Sequence, residues 1–181
     1  MIKKYKKNLD LLEKNYVYSK EMEHDSCGVG VIASTEGKKS RAIVEYGIEA
    51  LKAVWHRGAV DADGKTGDGA GIHMEIPKDF FIEKIEVTGH DYDNSEICVG
   101  MIFLPRNDYS SQESCKTIVE SELTKSNFSI YGWRQVPVNP KILGEKALQT
   151  MPEIIQVLFK SNDPKLLDKN LERKIYETRK K

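Results

Sequence analysis

The sequence predicts a mixed α and β domain, and three observations carry that reading. Short apolar runs rich in β-branched residues recur at residues 27–33, 97–104 and 154–159, as buried strands require. Segments with apolar residues at helical spacing follow the first two runs and the last, at 40–55, 110–123 and 163–181. With 181 residues, 39% of them hydrophobic and 31% charged, the chain can bury the core of one domain but not of two large ones. Strands and helices alternate, yet local pattern fixes neither strand order nor direction.

Each element has its own local reason. Residues 1–26 are polar and rich in lysine and glutamate, with a short helix around Leu11, Leu12 and Tyr16 as the structured option. CGVGVIA at 27–33 reads as a buried strand, and STEGKK at 34–39 as a turn. Ser40 can cap a helix whose inner face is Ile43, Val44, Ile48, Leu51, Val54 and Trp55. Residues 56–71 crowd glycine and aspartate and read as loop. A strand is expected at 72–76, and Pro77 can start a short helix through Phe81. After a polar connection at 88–95, ICVGMIFL at 97–104 is a second buried strand.

Ser110 with Glu113 has the spacing of a capping box, opening a helix with Cys115, Ile118, Val119 and Leu123 on one face. Residues 128–138 read as a strand ended by Pro140, and 154–159 as another. Residues 163–181 form a charged helix with Leu166, Leu167, Leu171 and Ile175 inward. There is no internal repeat and no low-complexity stretch.

Charge excludes some partners. Lysine plus arginine balances aspartate plus glutamate at 28 each, so no basic footprint points to nucleic acid or an acidic membrane. No apolar run reaches membrane-spanning length. No apolar signal core follows the basic start, and the expected location is the cytoplasm. The three cysteines, Cys27, Cys98 and Cys115, are widely spaced and form neither a zinc pair nor a disulfide framework.

Two places could carry chemistry. Cys27 opens its apolar run between Ser26 and Gly28, with Gly30 close behind. As a thiolate it would be a nucleophile, given a base or a lowered pKa; as a thiol it is a small core residue of a type often buried. The second place is WHRGAVDADGKTGDGAGI at 55–72, which gathers His56, Arg57, Asp61, Asp63, Asp68 and five glycines from Gly58 to Gly71. It lacks the ligand series of a calcium loop, and Lys65-Thr66 is followed by Gly67 rather than by a helix, unlike a phosphate loop. A solvated turn explains its polarity but not so many glycines. His24, His56, His73 and His90 show no ligand spacing. Cys98, Cys115, Trp55 and Trp133 read as packing residues.

Six segments, in order, resemble one family. DSCGVGVIA at 25–33 is similar to the start of the mature large subunit of glutamate synthases. HRGA at 56–59 with TGDGAGI at 66–72, IPKDFF at 76–81, GWRQVPV at 132–138, MPEIIQVLF at 151–159 and LERKIYETRK at 171–180 are similar to later segments of the same region. The resemblance covers residues 25–181 and implies a class II glutamine amidotransferase domain at 27–181 behind a leader at 1–26. The implied fold is α+β, a four-layer αββα sandwich of the N-terminal nucleophile hydrolase type, of which this chain is expected to hold the first part.

The resemblance also implies chemistry. Cys27 becomes the catalytic nucleophile once the leader is removed. Its free α-amine, with a reference pKa of about 7.7–8.0 against about 8.5 for the thiol, then serves as base. Gly28, Arg57, Gly58, Asp68 and Gly69 fall at the substrate pocket. The substrate is L-glutamine. The expected partners are the rest of the large subunit and an electron-donating partner, with no nucleic acid and no membrane. FMN and an iron–sulfur cluster belong to the parent enzyme, and no cofactor or metal to this chain. The family's His-Asn-Gly oxyanion segment has no counterpart, because the sequence contains no Asn-Gly pair. The alternative readings are a truncated non-catalytic remnant or interaction module, and an N-terminal nucleophile hydrolase acting on another amide.

Overall fold

The most apolar runs of the second half of the chain pair into one antiparallel sheet. It consists of β1 (Cys98–Leu104), β2 (Phe128–Gln135) and β3 (Glu153–Ser161) in the order β1-β3-β2. The computed structural model describes residues 2–15, 28–55 and 58–181, in two compact units, Met1–Gly58 and Ala59–Lys181.

In the second unit β3 is the central strand, and residues 155–159 are all buried. That is why its run carries no polar alternation beyond Gln156. One face of the sheet packs Cys98, Phe128, Val157 and Phe159 against Leu123 and Leu171, with Val119, Leu166 and Ile175 around them. Those residues come from α4 (Tyr109–Lys125), α6 (Asp168–Arg179) and the turn before α6. The other face packs Leu158 and Tyr131 against Phe81 and Ile85 of α3 (Lys78–Val87), with Ile97 beside them. Ile85 and Leu158 have no exposed surface, and burying a side chain of this size stabilises by about 1.5–3 kcal/mol. Met101 and Phe103, two and four residues beyond Val99 on the same face, stay exposed.

Two glycines are set by close approach. Gly100 of β1 pairs with Val157, and a Cβ there would lie 2.7 Å from Val157 Cγ1. Gly132 follows a bulge in β2 between Ile130 and Gly132, has φ of +153°, and would place a Cβ 2.7 Å from Thr88 Cγ2. Tyr131 lies on the α3 face by strand alternation and is 4% exposed, while the bulge returns Trp133 to the face of Ile130.

The N-cap of α4 lies two residues before the expected Ser110. Asp108 is the N-cap, accepting from the Ser111 N–H at 3.0 Å and from its hydroxyl at 2.6 Å. Ser110 lies in the first turn, and Glu113 pairs with Lys116 instead of closing a capping box. The aspartate wins because its carboxylate satisfies an amide and a hydroxyl at once. On the expected inner face Leu123 is buried and Cys115 and Val119 half-buried, but Ile118 is 62% exposed. In α6, Leu171 and Ile175 face inward as expected, while Leu167 is the exposed N-cap. The sequence pattern did not mark the 3₁₀ turn at Pro140–Ile142 or α5 (Glu145–Thr150).

In the first unit α1 (Ile2–Asn15) and α2 (Arg41–Ala53) are helical. Ser40 occupies the N-cap of α2, but its side chain makes no capping hydrogen bond. The expected inner face is only half-buried, no residue of α2 is buried, and Trp55 is 76% exposed. Residues 28–33 are irregular and exposed, Val29 and Val31 at 86% each, rather than a buried strand. Residues 72–76 also form no strand. β-Branched composition gives only an extended preference, and among the described residues neither segment has a ladder partner.

Candidate functional site

The glycine- and aspartate-rich segment builds a small, specific structure. Val60 and Gly67 form an antiparallel bridge, flanked by Asp61 N–H to Thr66 O at 2.7 Å and Asp68 N–H to Ala59 O at 3.2 Å. Gly64 makes the reversal with φ of +69°, a conformation open to glycine. A Cβ on Gly67 would lie 3.1 Å from Ala59 O. The glycines therefore serve a tight hairpin over residues 59–68.

The three aspartates each hold part of that hairpin. Asp68 Oδ2 accepts from Ala59 N–H at 2.8 Å, closing its open end. Asp63 Oδ1 accepts from Lys65 N–H at 2.9 Å and Thr66 N–H at 2.7 Å, and Oδ2 accepts from the Thr66 hydroxyl at 2.5 Å. The Thr66 hydroxyl and these amides, with the Glu145 N–H, hold the Asp63 carboxyl well below the usual carboxylate range. Asp61 Oδ2 lies 2.7 Å from Lys146 Nζ.

Gly144 sits under this loop. It is buried, and a Cβ built on it would overlap Thr66 Oγ1 and Asp63 Oδ2. The hairpin thus rests on residues 144–146 at the start of α5. Sequence reasoning missed this contact. The available signal was the Asp-x-x-Thr spacing of Asp63 and Thr66, which favours a side-chain-closed turn; nothing local pointed to Gly144.

The expected site residues fall as follows. Cys27, Arg57 and His56 lie outside the described residues. Gly28 is exposed and in irregular backbone. Gly58 donates its N–H to Trp55 O at 2.9 Å, and a Cβ there would lie 3.2 Å from the same oxygen. Asp68 and Gly69 share the hairpin's outgoing strand and the residue after it, Gly69 with open space where a Cβ would stand. In the structure the Asp68 carboxylate closes the hairpin mouth.

The other cysteines are unlike a nucleophile. Cys98 is buried in β1, and burial, with Glu96 and Glu172 adding negative charge, pushes its thiol up to about 12. Cys115 is half-buried on α4. Among the described residues no group of three His, Cys, Asp or Glu side chains could hold a metal. A cleft of about 300 Å³ is lined by Arg106, Gln112, Lys116 and Glu153 among others, and includes none of the expected site residues. No helix among the described residues is long and apolar enough to cross a membrane.

Residues 27–181 match the family described as glutamine amidotransferases class-II. The chain is 50% identical over 177 residues to the glutamate synthase [NADPH] large chain of Azospirillum brasilense, covering 98% of this chain and 12% of that one. It is 40% identical over 159 residues to ferredoxin-dependent glutamate synthase 1, chloroplastic/mitochondrial, of Arabidopsis thaliana, covering 87% and 10%. Against glutamate synthase [NADH] of Saccharomyces cerevisiae the identity is 38% over 153 residues, covering 81% and 7%. The chain thus spans about a tenth of the length of the relatives it matches.

Proposed function

The chain belongs to the class II glutamine amidotransferases, and from that premise we propose that residues 27–181 are the nucleophile-bearing part of the glutaminase of a glutamate synthase. The observation that carries this reading is the start of the family match at Cys27, the first residue of CGVG. Removal of residues 1–26 gives Cys27 a free α-amine. That amine takes the thiol proton, and the thiolate attacks the side-chain amide carbon of L-glutamine. The tetrahedral adduct collapses with the C–N bond breaking, and the departing nitrogen takes the proton and leaves as ammonia. Water then attacks the thioester, releasing glutamate and restoring the thiol.

In this reading Gly28, Arg57, Gly58, Asp68 and Gly69 shape the substrate pocket, with Asp68 acting through the closed hairpin. The fold is the four-layer αββα sandwich of the N-terminal nucleophile hydrolase type. Oxyanion donors come from polypeptide beyond these 181 residues, because the sequence has no Asn-Gly pair. The ammonia serves reductive amination of 2-oxoglutarate on the rest of the large subunit, which holds FMN and an iron–sulfur cluster and is fed by an electron-donating partner in the cytoplasm.

The test is N-terminal sequencing of the active native protein together with labelling by a glutamine-mimicking diazoketone. A chain starting at Cys27 and labelled at Cys27 is expected. A fully active protein that still carries Met1 defeats the mechanism, since an acylated nitrogen cannot take the proton.

A further inference from the structure

We propose that Asp63 and Gly144 are positioning residues for the glutamine site, latching the 59–68 hairpin, with Asp68 at its mouth, to the start of α5. The proposal rests on the glutaminase reading given above and adds two residues that no motif of that reading contains.

Gly144, Glu145 and Lys146 each touch the loop. Gly144 is buried where a Cβ would overlap Thr66 Oγ1 and Asp63 Oδ2, and would lie 2.5 Å from Thr66 N. Of the glycines described, Gly144 leaves the least room for a side chain. The Asp63 carboxylate accepts from both Lys65 and Thr66 amides and from the Thr66 hydroxyl. The Glu145 N–H also reaches that carboxylate, which joins the loop to the α5 segment. Lys146 Nζ pairs with Asp61 Oδ2 at 2.7 Å, across 85 residues of sequence.

The hairpin's geometry transmits this anchoring. Asp61 and Thr66 are bonded backbone to backbone, as are Ala59 and Asp68. A shift at Asp63 therefore moves Ala59 and Asp68 together. Arg57 and Gly58 directly precede Ala59 in the chain, and Gly69 directly follows Asp68. A displacement near 1 Å at reacting groups can cost about a hundredfold in rate. On the glutaminase reading the pocket residues Asp68 and Gly69 thus depend on a contact that touches no ligand.

The experiment uses the native full-length protein with Asp63→Asn, Gly144→Ala, Lys146→Met, Thr66→Val and Thr66→Ser. Cys27 labelling is followed with a glutamine-mimicking diazoketone and, separately, with iodoacetamide. Hydrogen exchange is read at the amides of Asp61 and Thr66, and thermal unfolding is recorded for every variant. Asp63→Asn and Gly144→Ala are expected to slow diazoketone labelling roughly ten- to hundredfold, leave iodoacetamide labelling within about twofold, and speed exchange at both amides. Thr66→Ser, which keeps the hydroxyl, retains more of the diazoketone rate than Thr66→Val. Should Gly144→Ala fail to fold, Asp63→Asn and Lys146→Met carry the same comparison without new volume at Gly144. Folded variants with faster exchange but wild-type diazoketone labelling overturn the positioning role. Unchanged exchange overturns the latch itself. A wild-type protein that takes iodoacetamide but no diazoketone at Cys27 instead overturns the glutaminase reading, and the positioning role with it.

Discussion

The hydroxyl of Thr88, at the C-terminal end of α3, lies 2.8 Å from the carbonyl oxygen of Tyr131 at the bulge of β2. The methyl group of the same threonine closes over Gly132, where a Cβ would lie 2.7 Å from it. One side chain therefore bonds the bulge and excludes any larger residue from it. Thr88→Val keeps the methyl contact and removes the hydroxyl, whose one proton is shared between Ile85 O at 2.6 Å and Tyr131 O at 2.8 Å, at an expected cost of about 1–3 kcal/mol. Gly132→Ala adds overpacking to a φ of +153° and is expected to cost at least as much, from about 1–3 kcal/mol of overpacking alone. Urea unfolding of both variants checks this, and a Gly132→Ala midpoint equal to wild type refutes the close packing.

Acid should destabilise the second unit through two particular carboxylates. Lys160, then Ser95 and Tyr131, hold the Asp93 carboxyl below its usual range, and Tyr131 donates to it at 2.9 Å. Asp63 is held down by Thr66, Lys65 and Glu145. A carboxylate whose folded pKa is depressed adds stability that is full above its unfolded pKa of about 3.9 and fades as pH falls towards the folded value. The urea midpoint of the wild type is expected to drop steeply between about pH 4 and pH 2. Asp93→Asn and Asp63→Asn start lower at neutral pH and lose less over that window. Curves that stay parallel to wild type across it rule out both groups as the source.

The second unit was largely legible because its signals are local or strongly apolar. The runs at 97–104 and 154–159 became β1 and β3, since the two apolar runs pair with each other in an antiparallel ladder. The cap of α4 was misplaced by two residues because Asp108 and Ser110 are both competent N-caps and only the three-dimensional Ser111 contact separates them. The run at 28–33 and the segment at 72–76 failed for a different reason. Strand pairing is a relation between two segments, and composition reports on one. The loop at 59–68 was read correctly as polar and glycine-rich, but its seat on Gly144 joins residues about eighty apart, beyond any local pattern. Cys27 is a candidate from its own neighbourhood, but its role and that of Arg57 rest on resemblance, and both lie outside the described residues.

Core substitutions should sort by the face they occupy. Leu158 is fully buried in the central strand against Ile85 and Tyr131. Leu158→Ala is expected to cost about 2–5 kcal/mol, the lost transfer energy plus a cavity. Ile118 sits on α4 with most of its surface in water, and Ile118→Ala should stay within about 0.5 kcal/mol of wild type. Equal losses for the two in urea titrations contradict the packing of the α3 face.

The three cysteines should separate by reactivity, each for a physical reason. Cys98 is buried and its thiol is pushed up to about 12. At pH 8 only about one molecule in ten thousand then carries the thiolate that alkylating agents need. Iodoacetamide should therefore modify Cys98 in urea and not in the folded protein. Cys115 is half-buried on α4, so its reaction reports solvent access rather than activation. Cys27, on the glutaminase reading, meets its own α-amine as base, and a diazoketone analogue of glutamine should modify it alone. Cys27→Ala should remove that label and all glutaminase activity, while Cys98→Ala should act on stability, by a cavity cost of about 1 kcal/mol. Mass mapping of alkylated peptides in both states decides each point. Native-state alkylation of Cys98 as fast as in urea contradicts its burial, and analogue labelling spread evenly over the three thiols removes Cys27 as the nucleophile.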